Sequence, residues 1–277
     1  MHLYSWHGVR VRQLLPITAA VVSLLSPTVA QAQSVEHDDD HDHGGLHFSH
    51  PMITESPSPD TKIRLDARFE TAPLDARATE LRGEVEYGFS NALSLAVVAP
   101  FVRITSPAAA RASSLGSVEL SAKGASFAFA ESGVLVGGGL TVGLPTGNDL
   151  KGIGSGHLYE FAPFVDAALK RGNVEAVGFL TYSTLANRNA TDENERRASF
   201  DGSLLWHLVP QVEVLGEVAT SRSYVRTQRA VSETFIAPGI KVRPATWPKL
   251  AMGVSAIRGV GSTAGVNALQ LSAFYHF

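Results

Sequence analysis

"KIRLDARFE", Lys62 to Glu70, sorts its side chains by strict alternation. Ile63, Leu65, Ala67 and Phe69 project to one side; Lys62, Arg64, Asp66, Arg68 and Glu70 project to the other. A period of two marks a β-strand with two unlike faces, because successive Cβ atoms leave the pleat in opposite directions. The rhythm recurs downstream. "LRGEVEYGF" sets Leu81, Val85, Tyr87 and Phe89 against Arg82, Glu84 and Glu86, and "QVEVLGEVA" sets Val212, Val214 and Val218 against Glu213 and Glu217. In "NALQLSAFYHF", Leu269, Leu271, Ala273, Tyr275 and Phe277 share a face opposite Gln270, Ser272 and His276.

A soluble sandwich also alternates, with its apolar face turned inward. Two features favour a membrane barrel instead. The alternating stretches run to about ten residues, the length of a tilted strand crossing a bilayer. The connections also alternate between short and long. Short ones centre on Gly88–Ala92, Ala130–Gly133, Lys170–Asn173, Leu208–Gln211 and Arg243–Lys249. Longer polar ones lie near Thr71–Thr79, Arg103–Leu115, Pro145–Gly156, Ala186–Ala198, Ser221–Val231 and Gly259–Gly265. They separate strands at residues 62–71, 80–89, 92–102, 116–128, 133–144, 157–170, 174–184, 199–208, 211–221, 232–243, 249–258 and 266–277. The reading is an all-β, transmembrane antiparallel β-barrel of about 12 strands with both termini periplasmic, an even strand count as bacterial single-chain barrels require. Closure follows from solvent: hydrocarbon offers no partner to an open sheet edge. Tyr87, Phe89, Phe101, Tyr159, Trp206 and Tyr275 lie where interfacial girdles are expected.

The 277 residues carry 23 Lys+Arg against 26 Asp+Glu, so no bulk attraction to nucleic acid is implied. The absence of cysteine excludes disulfides and thiolate metal sites. Arg10, Arg12, the apolar run Leu14–Leu25 and "AQA" at Ala30–Ala32 form the pattern of an export signal. Residues 1–32 are therefore expected to be a signal peptide, residues 33–60 a periplasmic leader, and residues 61–277 the barrel.

The leader is rich in His and Asp, then in Pro and Ser. Its candidate metal ligands are His37, Asp38, Asp39, Asp40, His41, Asp42, His43, His47 and His50. Neutral imidazole with carboxylate suits a divalent ion (Zn, Cu, Ni or Co), and Gly44 and Gly45 permit a tight bend. Adventitious binding and a plain polar spacer are the competing readings. The segment His50–Thr61 reads as a linker or as an extended stretch docked inside the barrel mouth, and Leu46 and Phe48, apolar residues that a solvated tail seldom needs, favour partial docking. No cofactor is required.

Inside the barrel, Arg64, Asp66, Arg68, Arg82, Glu84, Glu86, Lys123, Glu160, Asp166, Glu213 and Glu217 are expected to line or fill the lumen, since charges persist in membrane strands only facing water or each other. They would form either a polar passage or ion pairs that plug it. Leu158, Ala162, Phe164 and Ala168 make one stretch apolar on its inner face too. That suits hydrophobic solutes, or a strand contacting an internal plug. No enzyme is expected: outside the signal and leader only His157, His207 and His276 occur, and no Gly-x-Ser-x-Gly elbow is present.

Two resemblances add to this. Leu269, Leu271, Tyr275 and the terminal Phe277 resemble the assembly signal of bacterial outer-membrane barrels, which implies the outer membrane of a Gram-negative bacterium, contact with its lipid and the barrel assembly machinery, and a monomer. "GLTVGLPTGND", Gly139 to Asp149, "YGFSNALSLAVVAPF", Tyr87 to Phe101, and the leader from His41 to Asp66 resemble the outer-membrane family labelled "MetA-pathway of phenol degradation". The resemblance implies a transporter-type barrel for small solutes, hydrophobic or aromatic or metal-linked. A non-transporting metal-binding or sensing protein anchored by the barrel is the alternative.

Overall fold

The computed structural model describes residues 46, 48–107, 109–186, 195–225 and 230–277. Among these the chain is almost entirely strand: β1 (Lys62–Ala72), β2 (Ala76–Ser90), β3 (Leu93–Ser106), β4 (Ala109–Leu115), β5 (Glu119–Phe129), β6 (Val134–Gly143), β7 (Tyr159–Arg171), β8 (Val174–Ala186), β9 (Glu195–Val209), β10 (Val212–Val225), β11 (Val231–Val242), β12 (Leu250–Gly259) and β13 (Asn267–His276). Neighbours pair antiparallel, and the sheet closes on itself where β1 meets β13, from Lys62↔His276 to Thr71↔Asn267. Twelve strands form the wall. The thirteenth, β4, extends it.

That extension differs from the long loop expected at Arg103–Leu115. The first half of β3 pairs with β5 (Leu93↔Gly124 to Val98↔Glu119), and the second half turns back on β4 (Phe101↔Leu115 to Ser106↔Ala109). The joint is Pro100, whose carbonyl accepts from Gly116 N–H at 2.8 Å. The connection expected at Thr71–Thr79 is likewise short. Strands β1 and β2 run on in register to Ala72↔Ala76, and Leu74 and Asp75 take φ of 63° and 57° to turn the corner. In both places small and polar residues pair as strand beyond the apolar band, because main-chain hydrogen bonds reward pairing regardless of side chain.

The faces are inverted relative to a soluble protein. Leu65 is 60% exposed, while its neighbours Arg64 and Asp66 are 1% and 8% exposed. Phe69, Leu81, Val85, Val97, Leu120, Val165, Leu180, Leu204 and Leu271 are also exposed, forming an apolar belt. Aromatics flank it. Tyr87 and Phe89 meet edge to face at 4.9 Å, as do Tyr275 and Phe277 at 5.3 Å, at the rim of the short turns; Tyr159, Tyr182 and Tyr224 are exposed toward the opposite rim. Strand β1 begins and β13 ends at the short-turn rim. No helix among the described residues is long and apolar enough to cross a membrane.

Candidate functional site

The site is the lumen, and the leader fills part of it. Its sequence forbids regular structure: Pro51, Pro57 and Pro59 remove backbone donors and oppose helix. Residues 48–61 instead make an irregular re-entrant segment, tolerable at membrane depth because the barrel wall surrounds it. Phe48, Met52, Thr54 and Ser56 are fully buried.

Apolar side chains seat its first half. Leu46, Phe48 and Met52 cluster with Ala125, Leu135, Ala168, Val177, Leu205 and Leu215 from the wall. Ala168 belongs to the stretch whose inner face is apolar, so here that face meets the plug. Phe164 packs on Phe179 at 4.8 Å. Met52 also fills the space left by Gly253, where an added Cβ would lie 2.6 Å from its Sδ.

Carboxylates of the wall hold the plug's backbone. Glu217 accepts from Met52, Ile53 and Thr54 N–H at 3.1, 2.8 and 2.9 Å, and from the Ser203 hydroxyl at 2.8 Å. Glu175 accepts from Ser49 N–H at 2.5 Å, and Glu213 from the Ser49 hydroxyl at 3.1 Å. Cations take the carbonyls: Arg64 donates to Met52 O at 2.6 Å and Lys241 to His50 O at 2.8 Å, with Gln270 sharing Met52 O at 2.8 Å. Charge-assisted bonds of this kind are about twice as strong as neutral ones. They also satisfy backbone groups that have no ladder partner.

The remaining charges pair with one another. Lys62 lies 3.2 Å from Glu84 and 2.7 Å from Glu86; Lys123 lies 3.2 Å from Glu55 of the plug and 3.3 Å from Glu86. Arg64 meets Asp66 at 2.8 Å, Arg82 approaches Glu84 at 3.8 Å, Arg68 meets Glu70 at 3.0 Å, and Lys241 meets Glu213 at 2.7 Å. Asp166 is buried beside Gly137, and Glu160 is half-buried. All eleven residues singled out for the lumen thus sit on the inner wall, and Arg64, Lys123, Glu213 and Glu217 contact the leader directly. Burial holds the Glu55 carboxyl well above the ordinary carboxylate range, with Lys123 opposing the shift.

Of the nine metal candidates, His37, Asp38, Asp39, Asp40, His41, Asp42, His43 and His47 lie outside the described residues. His50 is buried and stacks between Phe274, at 5.2 Å and 2° between planes, and His276, at 5.0 Å and 5°. Its partners Asp60 and His276 were not singled out from the sequence. The His276 side chain is only 19% exposed. The alternation of "NALQLSAFYHF" puts His276 on the inner face, and that was the available signal. Leu269, Leu271, Tyr275 and Phe277 are exposed on the outer wall, and Phe277 N–H donates to Thr61 O at 3.2 Å.

In the loop after β6, Asp149 and Ser155 approach the same His157 nitrogen, Nδ1, at 2.9 and 3.4 Å; Asp149 and His157 are solvent-exposed and Ser155 half-buried. A hydrolytic triad needs acid and nucleophile on opposite ring nitrogens. Here burial pushes the Asp149 carboxyl up, but the His157, Gly156 and Ser155 hydrogen bonds that brace the loop together outweigh it and hold the carboxyl below its usual value.

No family model matches the chain, and no curated protein does. Solved structures do. An outer membrane channel from Pseudomonas putida F1 superposes with a TM-score of 0.62 at 15% identity, covering 88% of this chain and 100% of that one. The NanC porin gives 0.56 at 10%, covering 78% and 100%. The translocator domain of the autotransporter NalP from Neisseria meningitidis gives 0.54 at 13%, covering 79% and 88%. What the chain shares with them is the fold, the closed antiparallel β-barrel of outer-membrane proteins.

Proposed function

We propose that this protein is an outer-membrane channel for small solutes whose passage is narrowed by its own leader. The observation that carries the reading is Glu217. A buried carboxylate of the wall captures three consecutive backbone N–H groups of a segment that has no secondary structure. Such a contact is strong but lies entirely between leader and wall, so it can be broken without unfolding the barrel. The signal-like N-terminus and the terminal Phe277 support export and insertion by the assembly machinery, as a monomer.

The solute is proposed to be hydrophobic or aromatic, as the resemblance to the phenol-degradation family implies. The wall itself supports this. Gly202 and Gly216 thin the outer surface, and with Leu204, Val218, Ile236 and Pro238 they line a shallow, open depression of about 380 Å³ on the lipid-facing side of the wall. Pairing of β11 with β12 is interrupted beside it, between Ile236↔Arg258 and Gly239↔Ser255. Pro238 has no N–H to give.

A second reading follows from how completely residues 48–58 are buried: a barrel that anchors a metal-binding or sensing leader and transports nothing. Conductance and solute uptake in vesicles separate the two, measured with and without residues 33–60. The channel reading predicts low conductance in the intact chain and a clear rise on deletion. Silence in both forms, with the barrel folded, refutes it in favour of the second.

A further inference from the structure

At the short-turn rim lies a cluster that conduction does not use. His50 comes from the leader, Asp60 from the residues just before β1, and His276 from the last strand. His50 Nε2 is 3.6 Å from Asp60 Oδ2, and His276 Nδ1 is 2.8 Å from the same oxygen. One ligand atom from each of the three residues falls within 4.8 Å of the others. A tetrahedral ion with bonds of about 2.0–2.1 Å spaces its ligand atoms roughly 3.3 Å apart. The two distances to the carboxylate bracket that spacing, and the stacked imidazoles must turn out of their parallel arrangement to aim both lone pairs at one ion.

His50 itself points to a ligand. It is 2% exposed, yet neither ring nitrogen has a hydrogen-bond partner among the described residues. Leaving a buried imidazole unbonded is costly. A metal would use the lone pair that nothing else does.

Nearby cations oppose a positive ion here, and carboxylates offset each of them in part. Lys62 is matched by Glu84 and Glu86, Arg64 by Asp66, and Lys241 by Glu213. The charge left to attract a cation is that of Asp60. Two imidazoles and one carboxylate favour zinc, copper, nickel or cobalt over calcium or magnesium, which prefer all-oxygen shells. We infer that His50, Asp60 and His276 bind one divalent transition-metal ion, which fastens the leader to the strand that closes the barrel. The site stands whether or not the barrel conducts.

The upstream histidines would mask it in a simple titration. The full exported chain is therefore folded in detergent with His37, His41, His43 and His47 all replaced by Asn. Zinc is titrated by calorimetry, and cobalt serves as a probe through its tetrahedral visible absorption. The expected result is one ion per chain, with affinity reduced at least tenfold when Asp60→Asn or His276→Gln is added. Heat-modifiable gel mobility establishes that each variant is a closed barrel. Absence of zinc binding in the four-histidine variant would overturn the proposal. So would undiminished affinity in both Asp60→Asn and His276→Gln.

Discussion

Replacing Glu217 with Ala tests how the leader is held. The carboxylate accepts from three backbone N–H groups, with distances of 2.8–3.1 Å. Removing it while the leader stays in place strands three buried donors, at about 1–3 kcal/mol apiece. The gross penalty is roughly 3–9 kcal/mol, and water entering the vacated space moves it to the lower end. Even about 3 kcal/mol shifts the docked-to-released ratio by about a hundredfold, at about 1.4 kcal/mol per factor of ten. The wall loses only the bond from the Ser203 hydroxyl, because the main-chain pairs of Glu217 with Ser203 and Ala237 do not involve its side chain. The expected outcome is a leader that proteases cut in the folded barrel, with raised single-channel conductance. Glu217→Gln keeps one acceptor oxygen and should fall between Ala and wild type. If Glu217→Ala shows wild-type protection and wild-type conductance, the carboxylate does not hold the leader and the reasoning fails.

Gly253→Val should unseat the leader without altering any charge, because a Cβ there meets Met52 Sδ at 2.6 Å; unchanged protease protection would contradict that packing. Because burial holds Glu55 above the ordinary carboxylate value of 4.5, the docked leader takes up a proton more readily than the released one. Docking therefore strengthens as pH falls toward that value and weakens as pH rises through the raised one. Leader protection followed between about pH 5 and 8 should show this dependence in wild type and less of it in Glu55→Gln; identical profiles refute it. Leu65→Arg places a charge on the lipid face and should cost about 2–4 kcal/mol in urea unfolding from vesicles, whereas Leu74→Arg in the β1–β2 turn should cost almost nothing. Equal costs would remove Leu65 from the hydrocarbon belt.

Alternation alone determined the wall. Once Ile63, Leu65, Ala67 and Phe69 share a face, a one-residue change of register would turn Arg64 and Asp66 into lipid, so inside and outside follow from residue parity wherever no bulge intervenes, as one does between Ala125 and Phe127. Strand count and the rim where β1 begins follow from the rhythm of the turns. Strand ends were less legible. Residues 72–79 and 103–115 mix small and polar side chains with Pro73 and Pro107 and read as loop, but backbone pairing continues past the apolar belt regardless. The lumen residues were legible one by one as inward charges; their partners were not. That Glu217 would accept Met52, Ile53 and Thr54, or that His50 would meet His276, depends on the path of a leader with no periodicity, in which prolines forbid helix without prescribing a route. Local sequence fixes which way a strand residue faces. Only the closed barrel, bringing the two ends of the chain to one rim, decides what it faces.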